Sequence, residues 1–164
     1  MQNIRRQLTL FVPSKSASRL EAARQLLDPI QFKLIRVHVT LCREDEIEDM
    51  NDKQLQARAS TAAAIRLEFG RPERFSGHGV QLRCVAGQAR FHELRCQLLG
   101  SPSTRPQQAH ITLAHPRNPQ APGNTLENMA AVEGCFSISF AMASIIRQMG
   151  DGPWVVEQSF ERLR

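Results

Sequence analysis

The same four-residue pattern occurs twice in this chain, as HVTL at residues 38–41 and as HITL at residues 110–113. Successive side chains of a β-strand point to opposite faces, so each histidine shares a face with the threonine two residues later, and the aliphatic residues share the other face. Each copy therefore predicts a strand with one polar and one buried face. Two such strands laid side by side would present two imidazoles and two hydroxyls to a phosphate-sized cleft.

Composition sets wider limits on the fold and on the partner. The 164 residues are 41% hydrophobic and 23% charged, which predicts one globular domain over residues 1–164. The net charge of +5 comes mostly from arginine, whose planar guanidinium suits phosphates, so an anionic partner is favoured.

Cysteine spacing and hydropathy predict the compartment. No CxxC pair or zinc module is present, so the cysteines are expected to be free thiols in a reducing compartment. They are Cys42, Cys84, Cys96 and Cys135. No window approaches the roughly 20 apolar residues of a membrane helix, and the first apolar run is too short for a signal peptide. The prediction is a soluble, cytoplasmic protein that does not interact with membranes.

Hydrophobic periodicity and turn residues predict the order β, α, β, α, β, β, α, β, α, β, β, in two similar halves. The predicted strands are 6–12, 32–41, 74–78, 80–86, 110–113, 136–146 and 154–160. The predicted helices are 14–27, with Leu20, Ala23, Leu26 and Leu27 on its apolar side, 53–69, 88–99 and 125–132. Residues 42–52 are expected to form an acidic turn.

The paired motifs suggest a particular chemistry. In-line cleavage of a phosphodiester needs a base for the attacking water and an acid for the leaving oxygen, and two imidazoles can hold these complementary protonation states near neutral pH. Thr40 and Thr112 would donate hydrogen bonds to the non-bridging oxygens, where charge accumulates. No metal or cofactor is required. A single His-x-Thr strand is more often an exposed polar face, and only the repetition favours a site.

The two motifs, half a chain apart, resemble those of the two-histidine phosphoesterases, which include the 2′-5′ RNA ligase-like proteins and the RNA 2′,3′-cyclic phosphodiesterases. RRQLTLFVP at 5–13 and IIRQMGDGPWVVEQSF at 145–160 are similar to that family's first strand and terminal hairpin. The resemblance covers most of the chain. It implies an α+β fold of two pseudo-symmetric lobes, whose antiparallel sheets form a central cleft, with helices on the outer faces.

The resemblance also implies a function. It points to a monomeric, metal-independent phosphodiesterase that hydrolyses RNA 2′,3′-cyclic phosphate ends to 2′-phosphates, or acts on 2′-5′ linkages, with His38 as acid and His110 as base. Two alternatives stay open. One is the same chemistry on small cyclic nucleotides or cyclic oligonucleotides, and the other is a nucleotide- or RNA-binding module without turnover. Intact histidines and threonines argue against the module.

Three further residues are candidates for substrate binding. His115 and Arg117 follow the second motif, where the family often has an arginine, although here Ala114, His115 and Pro116 come first. Trp154 follows a glycine turn and is either a substrate contact or a packing residue of the hairpin. The remaining histidines, His78 and His92, are expected on the surface.

Overall fold

Two four-stranded antiparallel sheets are formed within residues 3–76, 78–122 and 136–161, the parts of the chain that the computed structural model describes. The elements are β1 (Ile4–Phe11), α1 (Ser14–Leu27), α2 (Pro29–Leu34), β2 (His38–Cys42), α3 (Glu44–Ile47), α4 (Asp52–Ser60), β3 (Ile65–Phe75), β4 (Gly79–Ala86), α5 (Gln88–Leu99), β5 (His110–Ala114), β6 (Phe136–Phe140), β7 (Met142–Met149) and β8 (Val155–Glu161). The predicted α+β class is confirmed. None of the helices described is long and apolar enough to cross a membrane.

Each motif strand lies at the edge of its own sheet. The first lobe has the strand order β2-β1-β7-β8, and the second lobe has the order β5-β4-β3-β6. In both lobes the motif strand pairs antiparallel with the strand that precedes the connecting helix, so β1-α1-β2 corresponds to β4-α5-β5. The two motif strands are therefore not neighbours in one sheet, as laying them side by side would require.

Side-chain hydrogen bonds, and not backbone pairing between strands, connect the edge strands β2 and β5 of the two sheets. The Gln107 side-chain amide donates to the Thr40 carbonyl over 2.8 Å. The buried Arg95 guanidinium donates to the Leu41 carbonyl and forms an ion pair with Glu46 at 2.7 Å. These contacts bring the polar faces of β2 and β5 to opposite sides of one cleft.

Burial along the motif strands alternates as predicted. The histidine and threonine of each motif are half-buried, whereas the aliphatic residues are at most 1% exposed. These buried residues are Val39, Leu41, Ile111 and Leu113. Because one core face holds each strand, a shift of one residue would move every motif side chain to the wrong face.

The prediction of a strand over 32–41 is wrong in its first part. Asp28-Pro29 ends α1 as expected, but it also begins α2, because proline is favoured in the first turn and the Asp28 carboxylate accepts a hydrogen bond from the Gln31 amide at 3.2 Å. The strand begins only at His38. Two smaller corrections are that Leu26 is 73% exposed and that Glu44–Ile47, within the predicted acidic turn, is helical.

The predicted helix over 53–69 is also too long. Helix α4 ends at Ser60, and the chain continues as β3, in which Ile65, Leu67 and Phe69 are buried and alternate with exposed residues. Pairing with β4 on one side and β6 on the other decides the conformation there. The alanines before Ile65 favour a helix by local propensity, and this is why the predicted helix was too long. Strand pairing overrides that propensity.

The alternating run over 136–146 is two strands and not one. Strand β6 pairs in the second lobe and β7 in the first, so the chain crosses between the sheets near Ala141. The predicted hairpin of 74–78 with 80–86 is confirmed in its pairing, but its first strand runs from Ile65 and ends at Phe75, before the turn. The hairpin of β7 with β8 and helix α5 are confirmed. The predicted helix 125–132 lies outside the described residues.

Candidate active site

A cleft of about 640 Å³ lies between the motif edges. All seven residues singled out from the sequence line it, namely His38, Thr40, His110, Thr112, His115, Arg117 and Trp154. The predicted polar faces of the two strands are thus brought together with the loop after β5 and the residue before β8.

Both motif histidines are held in the same orientation. His38 Nδ1 lies 2.8 Å from the Arg36 carbonyl oxygen, and His110 Nδ1 lies 3.0 Å from the Gln108 carbonyl oxygen. Since a carbonyl only accepts, each Nδ1 carries the proton and donates it. The Nε2 of each neutral ring therefore keeps its lone pair, which is the atom a general base needs.

An aromatic ring from the same sheet lies against each imidazole. Phe11 meets His38 edge-on, with the ring centroids 6.3 Å apart, and Phe75 lies against His110 at 4.8 Å. The Arg36 guanidinium lies over the Phe11 ring, 4.2 Å from its centroid. These contacts restrict rotation of the imidazoles about the hydrogen bonds that hold Nδ1.

Burial keeps the histidines of the cleft neutral. The pKa of His38 is lowered to about 4, mainly by burial and in part by the positive charge of Arg24. Burial also lowers the pKa of His110, with a contribution from Arg43, and the pKa of His115, with a contribution from Arg117. At neutral pH the cleft therefore presents two neutral imidazoles, each with a lone pair on Nε2.

The threonines occupy equivalent places one pleat beyond each histidine. Thr40 pairs with Thr9 of β1, and Thr112 pairs with Gln81 of β4. Thr9 is fully buried and its hydroxyl accepts from Gln7, which also lines the cleft. Thr40 and Thr112 both line the cleft, as the two motif histidines do.

His115 is held in the opposite tautomer. Its Nδ1 accepts from the Arg117 backbone amide at 3.1 Å, so its proton is on Nε2. Its own amide donates to the buried carboxylate of Asp28 at 2.9 Å, and Asn118 donates to the same carboxylate at 3.0 Å. The third imidazole of the cleft thus carries its proton on Nε2, whereas the other two carry it on Nδ1.

Trp154 lies at the far wall of the cleft. Its backbone amide donates to the Leu34 carbonyl at 2.8 Å, and the Arg5 guanidinium lies 5.4 Å from its ring centroid. Arg5 is in turn held by Glu44 at 3.1 Å. The tryptophan is half-buried and faces the cleft, so it is not only a packing residue of the hairpin.

Sequence reasoning missed several residues that line the cleft, among them Arg5, Arg24, Arg43 and Gln107. Arg24 gave a signal, because it lies between Leu20 and Leu27 at helical spacing on a face that is otherwise apolar. Gln107 gave none. Among the residues described, no group of three or more His, Cys, Asp or Glu side chains is arranged to hold a metal ion.

Two lobes that each bring an HxT strand to a shared cleft are the architecture that the resemblance implied, and solved structures of the same fold exist. No family model and no curated protein matches the chain. Among solved structures, E. coli LigT complexed with NADP+ is similar over 100% of both chains, at 14% identity and a TM-score of 0.65. E. coli LigT complexed with 3′-AMP is similar over 98% of this chain and 99% of the other, at 13% identity and a TM-score of 0.59.

Proposed function

We propose that residues 1–164 act as one two-lobed, metal-independent phosphodiesterase that hydrolyses RNA 2′,3′-cyclic phosphate ends to 2′-phosphates. One observation carries the proposal: two imidazoles from separate sheets share the same tautomer, with Nε2 of each available in one cleft. Their separate attachment to two lobes suits a reaction that needs proton transfer on opposite sides of a phosphorus atom. The nucleotide complexes of LigT support a nucleotide-like substrate.

In this reaction one imidazole removes a proton from water as the water oxygen bonds to phosphorus. The bond from phosphorus to O3′ breaks, and the second imidazole, protonated beforehand, gives its proton to O3′. Thr40 and Thr112 donate to the non-bridging oxygens, and His115 Nε2–H provides a third donor nearby. A bound dianionic transition state would favour the proton that the second imidazole must carry.

The roles of the two histidines follow from which one takes up that proton. The resemblance implies His38 as acid and His110 as base. The free cleft favours the reverse, because the larger effect of burial and the charge of Arg24 oppose protonation of His38. NMR titration of the two imidazoles with a bound nucleoside 2′-phosphate distinguishes the assignments. Because this ligand is the product, the imidazole that is protonated in the complex at neutral pH is the base, which has taken the proton from water, and the neutral imidazole is the acid, which has given its proton to O3′.

The direct test is cleavage of a short RNA ending in a 2′,3′-cyclic phosphate, in the presence of excess EDTA. We expect full turnover and a 2′-phosphate product, because imidazoles and hydroxyls provide the catalysis. Loss of turnover in EDTA that a divalent ion restores would contradict the metal-independent mechanism. Tight binding of the RNA without turnover, with or without metal, would favour the binding module.

Salt dependence separates an RNA substrate from a small cyclic nucleotide. Each single-strand phosphate contacted adds about 0.7 to the log-log slope of binding against salt. Arg117 is exposed and lines the cleft, so we expect KM for the RNA to rise more steeply with salt than KM for the matching mononucleotide, and Arg117→Ala to reduce that difference. Arg90→Ala, an exposed arginine outside the cleft lining, is the matched control. Equal slopes would favour the small nucleotide.

We further propose that the protein works in the reducing cytoplasm. Cys42, Cys84 and Cys96 are free thiols, as predicted. Burial raises the pKa of Cys42 to about 12, so this thiol is unreactive. Cys135 lies outside the described residues.

A further inference from the structure

The carbonyls that orient the two motif histidines are themselves held in place. Each belongs to the residue two positions before its histidine, Arg36 in the first lobe and Gln108 in the second. Both residues are exposed and lie in the connections before the motif strands, outside the strand ladders. Backbone bonds from Val12 and Cys84 hold the carbonyls of Val37 and Ala109, whereas helix side chains hold the amides of these two residues, which belong to the peptide groups of Arg36 and Gln108.

In the first lobe, α1 holds the backbone on both sides of Arg36. Arg24 Nη2 donates to the Ile35 carbonyl at 2.8 Å. Glu21 Oε1 accepts from the Val37 amide at 2.6 Å. The two side chains form an ion pair at 2.7 Å, in which the Arg24 side chain is buried and the Glu21 side chain is 22% exposed.

In the second lobe, one side chain of α5 makes the equivalent contacts around Gln108. Gln88 Nε2 donates to the Gln107 carbonyl at 2.7 Å, and Gln88 Oε1 accepts from the Ala109 amide at 3.0 Å. Gly87, with φ of +96°, makes the turn that places Gln88 there, and a Cβ at this glycine would collide with a backbone carbonyl of β3.

We propose that Gln88 and the Glu21–Arg24 pair are positioning residues that fix the orientation and tautomer of His110 and His38, respectively. In each lobe, helix side chains bond the carbonyl three positions before the histidine and the amide one position before it. Two residues of α1 do so in the first lobe, and one residue of α5 does so in the second. The two arrangements use different side chains yet reach the same backbone atoms, which a purely structural role does not require. The catalytic part of this proposal rests on the proposed function.

The physical consequence concerns the proton on Nδ1. A fixed carbonyl keeps that proton on Nδ1 and leaves Nε2 free as the reacting atom. If the peptide group of Arg36 or Gln108 moves, the ring can rotate and exchange tautomers, and the lone pair is no longer aimed into the cleft. The loss should therefore appear in kcat, with KM little changed.

The test uses Gln88→Met, which keeps the side-chain length and removes the hydrogen bonds to the Gln107 carbonyl, the Ala109 amide and the Gln108 side chain. Long-range ¹H–¹⁵N NMR of the imidazoles, without substrate, reports the tautomer of each histidine. We expect His110 to change from the Nδ1–H form to a mixture of tautomers, and His38 to stay as it is. Gln97→Met is the matched control, because Gln97 also lies on α5 but bonds Thr61 and touches neither motif.

The reciprocal variant is Glu21→Met, which should change His38 and not His110. Glu21→Gln retains an acceptor for the Val37 amide and should restore the native tautomer of His38. If Gln88→Met does not fold, Gln88→Glu keeps the acceptor for the Ala109 amide, loses the donor and should give a smaller change at His110. Tautomers that stay native in folded variants, or that change at both histidines alike, overturn the proposal.

Activity then adds a second readout. We expect kcat of Gln88→Met to fall about 10- to 100-fold with KM within about twofold of wild type. If the wild-type protein cleaves no phosphodiester but each variant alters only its own histidine, the positioning role stands and the proposed function fails. If the wild-type protein is active and the tautomers do not respond, the positioning role fails alone.

Discussion

The two lobes present their histidines in the same way but hold them by different chemistry. In the first lobe an ion pair, Glu21 with Arg24, secures the backbone before His38, whereas in the second lobe the neutral amide of Gln88 does so before His110. The symmetry is thus one of backbone geometry and not of side chains. Arg24 places a positive charge near His38, whereas the neutral Gln88 places none near His110.

Burial, and after it the charge of Arg24, lowers the pKa of His38 to about 4, whereas burial and the charge of Arg43 lower the pKa of His110 less, so the two imidazoles have unequal proton affinities. A reaction that needs one base and one acid gains from such inequality, because each ring then has a preferred state in the same solution. Four changes test how far the lobes are equivalent and where they differ.

The largest effect is expected from the histidines themselves. His38→Ala and His110→Ala should each lower kcat/KM about 10³-fold, because acid and base act in the same step. The double variant should be little slower than either single variant, since the pair acts as a unit. The measurement is steady-state cleavage of the cyclic-phosphate RNA, with circular dichroism to confirm folding. His78→Ala, at an exposed turn, is the control, and near wild-type turnover in either single variant contradicts the pairing.

The two holding arrangements should differ in their contribution to stability. Arg24→Met leaves Glu21 without its partner and should lower the free energy of unfolding by about 3 kcal/mol. Gln88→Met removes neutral hydrogen bonds from a half-buried site and should cost about 1–2 kcal/mol. Urea denaturation monitored by circular dichroism measures both. If both variants lose the same free energy of unfolding, breaking the ion pair of the first lobe is no more costly than breaking the neutral hydrogen bonds of the second.

The threonines should behave alike in the two lobes. Thr40→Val and Thr112→Val keep the shape of the side chain and remove the hydroxyl donor, so we expect each to lower kcat about 100-fold. Thr40→Ser and Thr112→Ser should retain most of the activity. Single-turnover kinetics separates this loss from weaker substrate binding. A large loss at one threonine only would show that the phosphate sits closer to that lobe.

The smallest effect is in the pH dependence of stability. Burial lowers the folded-state pKa of His38 to about 4 from 6.5, so the unfolded state binds more protons between these values and stability falls as the pH drops through this window. His38→Ala should remove this loss, which is below about 3 kcal/mol because the ring is partly exposed. His110→Ala should remove a smaller loss. Urea denaturation at pH 7 and pH 5 measures both, and equal changes would contradict the inequality of the two imidazoles.

The sequence predicted the parts of the site that depend on local pattern. Alternation assigned the faces of both motif strands, and the position of Trp154 after a glycine turn placed it near the cleft. The boundary of β3 was missed, because the alanines before Ile65 fit a helix and only pairing with two distant strands selects the extended form. Gln88 was not identified either, since its role depends on spatial contact with Gln107 and Ala109, which periodicity does not report.

The edge position of the motif strands has a consequence for association between molecules. An open sheet edge exposes unpaired backbone groups, with which another chain can pair and begin to aggregate. Here the carbonyls of Thr40 and Leu41 on the β2 edge accept hydrogen bonds from Gln107 and Arg95. The same contacts that bring the two histidines to one cleft therefore also protect this edge from intermolecular β-pairing.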